Sequence, residues 1–215
     1  MEQDTTIFKR NVSFLFLVLS TIFVVCLLLS NILAAKLLSI WTLSISAGIL
    51  VFPISYIVND IITEVYGYEL AKAIIYIGFF MSISMSAAIF IAIQLPAPDW
   101  FNNSQAFATI LGSTPRVTLA GILAYLFGSL VNSKVLNQMK YKVSEPFGVR
   151  AIVSTILGEL TDSCIFVPLA FVGQISNKQL FEMALMQIAI KTLYEVLCLP
   201  ITTVVIRRVK AFEGI

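Results

Sequence analysis

The chain has 215 residues, 59% hydrophobic and only 12% charged, with a mean hydropathy of +0.94 and a formal net charge of +2. A soluble domain is about half apolar and about a quarter charged, so this chain lacks the polar residues to cover a water-facing surface, and lipid has to be its solvent. It holds no histidine, which removes the commonest general base and transition-metal ligand.

A membrane crossing needs roughly twenty apolar residues to span about 30 Å of hydrocarbon. Six segments qualify, at about 12–34, 43–62, 70–94, 115–137, 150–173 and 179–206. The sequence predicts an all-α integral membrane protein with a single transmembrane domain over 1–215. The acidic N-terminal stretch leads into an apolar run too long for a signal-peptide core and without a small-residue cleavage site, so the first span is expected to be retained. Cys26, Cys164 and Cys198 fall inside apolar runs and read as small buried side chains rather than a disulfide framework.

The first span ends in Ser30-Asn31, which either lines an outer vestibule or bridges helices. The second carries Phe52-Pro53 at its middle, where a proline kinks a helix and frees a carbonyl, for a cavity or for packing. Asn59, Asp60 and Glu64 follow at its cytoplasmic end. Glu64 reads as a solvated gating or capping acid, and Asp60 is left open. Between the third and fourth spans, Trp100 and Phe101 suit the headgroup level, and residues 104–112 predict a short interfacial helix. Arg116 opens the fourth span, either snorkelling outward or attracting an anion. Ala120, Ala124, Gly128 and Asn132 then recur every four residues, a stripe that suits close helix packing.

The last two spans hold the charges that a bilayer tolerates least. Thr155, Glu159 and Asp162 share one helical face, as do Gln187, Lys191 and Glu195. Asp162 and Lys191 fall near mid-bilayer, with Glu159 and Glu195 about one turn nearer the cytoplasm. Ionisable groups at such depth are functional candidates, although buried ion pairs also tie helices together. Three acids against one lysine leave negative charge in excess. On this reading Asp162 pairs with Lys191 and Glu159 is left over.

Lysine and arginine counts set the orientation. With the N-terminus inside, ten lie on the inner side, and three (Lys36, Arg116 and Lys178) on the outer. The positive-inside rule then places both termini in the cytoplasm of a bacterial plasma membrane. No Walker A motif is present, and a serine hydrolase would lack its base.

The ordered set Ser30-Asn31, Phe52-Pro53-Ile54-Ser55-Tyr56-Ile57-Val58-Asn59-Asp60 with Glu64 and Gly67, and Arg116 resembles the queuosine precursor transporters (the YhhQ type, formerly the vitamin uptake transporter family). Ser154-Thr155, Gly158-Glu159, Asp162, Ala170-Phe171, Lys191 and Pro200 extend the resemblance over about residues 12–208. It implies import of 7-cyano-7-deazaguanine, 7-aminomethyl-7-deazaguanine and queuine, and a six-helix fold similar to the substrate-binding subunits of energy-coupling-factor transporters. Glu159 stands where relatives often carry an amide. A deazaguanine edge offers adjacent N–H donors that one carboxylate accepts together, and its flat ring stacks on aromatic faces.

The expected substrate site is therefore Asn31, Phe52, Tyr56, Asp60, Glu159, Asp162 and Lys191. Pro53, Glu64, Arg116, Asn132 and Glu195 take structural or gating roles. No catalytic residue, metal or cofactor is expected. The expected partners are a small 7-deazapurine base and the lipid bilayer, with no nucleic acid; a homodimer suits so thin a bundle. The alternatives are a binding subunit of a multi-component importer and an intramembrane enzyme acting on a lipid.

Overall fold

The computed structural model describes residues 13–33, 36–40, 43–112, 115–142, 146–173 and 176–214. Among these described residues seven α-helices follow one another: α1 Phe14–Leu33, α2 Phe52–Tyr66, α3 Tyr68–Gln94, α4 Ser104–Leu111, α5 Pro115–Lys142, α6 Phe147–Phe171 and α7 Asn177–Glu213. Five of them, α1, α3, α5, α6 and α7, contain stretches long and apolar enough to cross a membrane. Leu17, Val25, Phe80, Phe90, Leu193, Leu197 and Ile201 stand exposed along them. An apolar coat of this extent suits lipid rather than water.

The expected second span is not one helix. Leu37–Ile40 (β1) and Leu43–Ser46 (β2) form an antiparallel hairpin in which Leu37 faces Ser46 and Ile40 faces Leu43. A 3-10 turn, Ala47–Leu50, joins it to α2. The Leu-Ser-Ile-Ser alternation of β2 has the period of a strand, and an apolar window alone cannot separate that from a helix. Nor does Pro53 kink anything. It lies in the first turn of α2, where its missing N–H would have had no helical partner and its fixed φ starts the helix. With 15 residues, α2 is about 22 Å long, short of the roughly 30 Å of a bilayer core.

α2 is the centre of the bundle, buried from Val58 to Val65 without a break. On one side Val58, Ile61, Ile62 and Val65 join Phe16, Leu19, Phe23 and Leu27 of α1, Ile74 and Ile75 of α3, and Ile206 and Val209 of α7. On the other side its polar residues meet α5 and α7. Asn59 Nδ2 donates to Ser133 Oγ at 2.7 Å, and Asn132 Nδ2 donates to Asp60 Oδ1 at 2.7 Å. This double contact pins α2 to α5.

Both ends of the described chain lie at one end of the bundle. Ser13, before α1, donates to Glu213 of α7 at 2.5 Å, and Tyr66 at the end of α2 donates to the same carboxylate at 2.8 Å.

The small-residue stripe of α5 packs against α6, as its spacing suggests. A Cβ built on Gly158 would lie 2.9 Å from the Asn132 Cβ and 3.0 Å from the Gly128 carbonyl oxygen. One built on Gly128 would lie 3.0 Å from the Asp162 Cβ and from the Gly158 oxygen. Two glycines thus let the backbones nearly touch and bring the α6 acids against α2 and α5. By contrast, a Cβ on Gly121 meets only Phe166, at 3.8 Å. Gly158→Ala should therefore lower stability by about 1–3 kcal/mol through overpacking, while Gly121→Ala should not destabilise. Thermal unfolding in detergent measures both; equal melting of the two variants would contradict the close crossing.

Candidate functional site

The charges of the last two spans come together between α2, α6 and α7. Lys191 Nζ lies 2.6 Å from Glu159 Oε2 and 3.3 Å from Asp162 Oδ2. Glu159 is therefore the nearer partner and not the acid left over. Helical spacing shows that both carboxylates share a face, but only the crossing of α6 and α7 decides which stands closer. The ammonium also sits over aromatic rings, 4.4 Å from the centroid of Phe52 and 5.9 Å from that of Tyr56. Those two rings are 5.1 Å apart, one turn from each other at the start of α2. A desolvated ammonium over such faces gains on the order of 2 kcal/mol.

A narrow cleft with about 10 Å³ of free volume lies here, lined by Phe52, Pro53, Tyr56, Ile57, Thr155, Glu159, Lys191, Tyr194 and Glu195. That is hardly room for one water and far below the roughly 300–1,000 Å³ of ordinary small-molecule pockets, and Lys191 covers the Phe52 ring. The cleft brings together two aromatic faces, a buried carboxylate and a lysine cation. Among the described residues no group of histidines, cysteines and acids could hold a metal.

Of the expected site residues, Phe52, Tyr56, Glu159 and Lys191 line the cleft, as do Pro53 and Glu195 from the structural set. Asp162 stands behind Lys191 as its second counter-charge. Asp60 lies deeper, only 1% exposed, bound by Asn132 and facing the Glu195 carboxyl. Thr155 donates to Glu195 Oε2. Asn31 is exposed at the end of α1 and does not line the cleft. Ser30 bonds back to its own helix, its hydroxyl donating to the Leu27 carbonyl at 2.8 Å. Arg116 falls in α5, but its side chain lies outside the described residues.

Glu64 differs most from expectation. It is not a solvated helix-end acid but is 3% exposed. Arg150 Nη1 donates to it at 2.7 Å and Lys210 Nζ at 2.9 Å, with Lys140 Nζ at 3.6 Å. The end of α2 is thereby tied to α5, α6 and α7 at once. Sequence reasoning counted Arg150, Lys140 and Lys210 only toward topology, since they lie at least 76 residues from Glu64. Tyr194, which adjoins Glu195 in sequence, was also missed.

Residues 46–205 match the model of a protein family described as "Putative vitamin uptake transporter". The chain belongs to this family. Relatives include a "Probable queuosine precursor transporter" of Bacillus subtilis, 25% identical over 147 residues, covering 67% of this chain and 64% of that protein. A protein of the same description from Haemophilus influenzae is 24% identical over 124 residues, covering 58% of this chain and 51% of the relative. The matched stretch thus spans less than two thirds of either relative. No solved structure matches the chain. The family match takes in α2, α6 and most of α7, and with them every residue that lines the cleft. It begins inside the hairpin, so α1 and Asn31 lie outside it.

The buried triad yields a test of its own. Lys191→Met leaves Glu159 and Asp162 without their shared cation, which should cost about 3–5 kcal/mol. Combining it with Glu159→Gln should recover part of the loss. Melting temperatures in detergent report both, and an undiminished Lys191→Met protein would mean the lysine neutralises neither acid.

Proposed function

We propose that this multi-pass membrane protein imports queuosine precursors, the 7-deazaguanine bases, across a bacterial plasma membrane. The observation that carries the reading is the pairing of a buried carboxylate, Glu159, with the stacked Phe52 and Tyr56 rings in one cleft between α2, α6 and α7. The base would lay its flat face on Phe52 and present its adjacent N–H donors to Glu159, pushing the Lys191 ammonium toward Asp162, 3.3 Å away in the closed form. An aminomethyl substituent would add a cation that can itself take Asp162 or Glu195. The family membership and the descriptions of the two relatives support the same substrate class. The ten-to-three lysine and arginine asymmetry supports cytoplasmic termini.

The cleft is closed as it stands, so entry of a base requires α7 or the start of α2 to give way. α2 is pinned at its far end by Glu64 and at its middle by Asn59 and Asp60. Its first turn carries no such ion-pair clamp among the described residues. The Phe52 end is therefore the mobile one in this reading.

Glu159→Gln keeps the side-chain volume but turns a donor toward the donor edge of the ligand. Binding of 7-cyano-7-deazaguanine should weaken by about 2–5 kcal/mol, more than tenfold. The fold should survive, because Asp162 remains for Lys191. Phe52→Leu should cost about 1–3 kcal/mol of binding through lost stacking. Calorimetry on the purified protein measures both, with adenine as the discriminating ligand. Adenine bound as tightly as the deazaguanine, or a Glu159→Gln protein of normal affinity, would refute this pocket chemistry. Uptake by proteoliposomes containing only this chain would separate a self-sufficient carrier from a subunit that needs an ATPase partner.

A further inference from the structure

Beside the Lys191 triad lies a second pair of acids, Asp60 behind the cleft and Glu195 at its wall. Asp60 of α2 is 1% exposed and Glu195 of α7 is 7% exposed. The two carboxyls face each other between α2 and α7. Each already has an oxygen occupied by a neutral donor, Asp60 Oδ1 by Asn132 Nδ2 and Glu195 Oε2 by the Thr155 hydroxyl. Asp60 Oδ2 is buried and has no donor among the described residues.

Among the described residues no lysine or arginine forms an ion pair with either acid of this pair. Lys191, one turn away on α7, is held by Glu159 and Asp162. Arg150 of α6, Lys140 of α5 and Lys210 of α7 gather on Glu64, one turn further along α2. Lys134 of α5 is exposed. α1 carries no acid or base except Cys26, and the charged residues of α3, Glu69 and Lys72, face each other at 3.9 Å. Two ionised carboxylates in contact inside a bundle repel strongly, with no hydrogen between them. One added proton converts the contact into an O–H···O⁻ bond and gives Asp60 Oδ2 its missing hydrogen.

We propose that Asp60 and Glu195 together bind one proton, and that this site is linked to the cleft through Glu195, which belongs to both. The linkage to base binding rests on the transport reading; the proton site itself does not. If the chain carries deazapurine bases, this pair is where the coupling proton resides.

Infrared spectroscopy of the purified protein tests the site without any ligand. A carbonyl stretch of a protonated carboxylic acid should be present at neutral pH, shift in heavy water, and disappear on alkaline titration. It should be lost in Asp60→Asn and in Glu195→Gln, and kept in Glu159→Gln. Should either variant fail to fold, the wild-type band and its titration still decide. Absence of the band wherever the protein stays folded would overturn the proposal. So would its survival in both variants, or its loss on adding sodium at constant pH, which would make the occupant a metal ion. Calorimetry of 7-cyano-7-deazaguanine binding in two buffers of different ionisation enthalpy then tests the linkage. A non-zero proton count, abolished in Glu195→Gln, is expected. A measurable affinity with zero proton exchange would overturn the linkage. No binding at all would defeat the deazapurine reading while leaving the infrared result intact.

Discussion

The cost of charge in a low-dielectric interior governs this bundle. Each buried carboxylate has to find a hydrogen, and the way it finds one ties the helices together. Glu159 and Asp162 share Lys191, which joins α6 to α7. Glu64 collects Arg150, Lys140 and Lys210, which joins α2 to α5, α6 and α7. Asp60 takes the amide of Asn132 and faces the carboxyl of Glu195, joining α2 to α5 and setting it against α7. Such pairs add little net stability over an apolar core. Their effect is specificity: any slide of α2 relative to its neighbours would strand a charge.

α2 shows why the site sits where it does. A helix buried on every side has to meet two kinds of neighbour, and its two faces are divided accordingly. Val58, Ile61, Ile62 and Val65 join the apolar core made with α1 and α3. Asn59 and Asp60 face the polar seam, and Phe52 and Tyr56 begin the cleft. The seam closes because Gly128 and Gly158 let α5 and α6 approach to backbone contact. Larger residues there would hold the α6 acids away from α2, and the cleft would widen into a gap without walls.

The cleft itself is held in a self-satisfied form. Lys191 lies on the Phe52 ring and against Glu159, so an internal cation occupies the positions that a flat, donor-rich ligand would need. A ligand gains only the difference between its contacts and those it displaces. Such an arrangement keeps a buried carboxylate neutralised, and on the proposed function a ligand would have to replace both the ring contact and the charge-assisted bond.

Much of this was legible in the chain. Five of the six expected spans coincide with helices to within a few residues (α7 runs on to Glu213), because a run of twenty apolar residues has few alternatives in lipid. The stripe of Ala120, Ala124, Gly128 and Asn132 announced close packing, and the i, i+4 spacings placed Glu159 with Asp162 and Lys191 with Glu195 on shared faces. Where sequence reasoning failed, the deciding contacts lay far apart along the chain. The segment 43–62 is apolar enough for a helix, but β2 pairs with β1 and Pro53 begins a shorter helix. Glu64 read as solvated because Arg150 and Lys210 lie 86 and 146 residues away. Which residues had to leave water, and which faces they shared, was written along the chain, since hydropathy and helical period are local properties. Which charge meets which was set by packing: Glu159 rather than Asp162 holds Lys191 most closely, and Asp60 faces Glu195. Those choices depend on the rotation and depth of one helix against another, which no local pattern encodes.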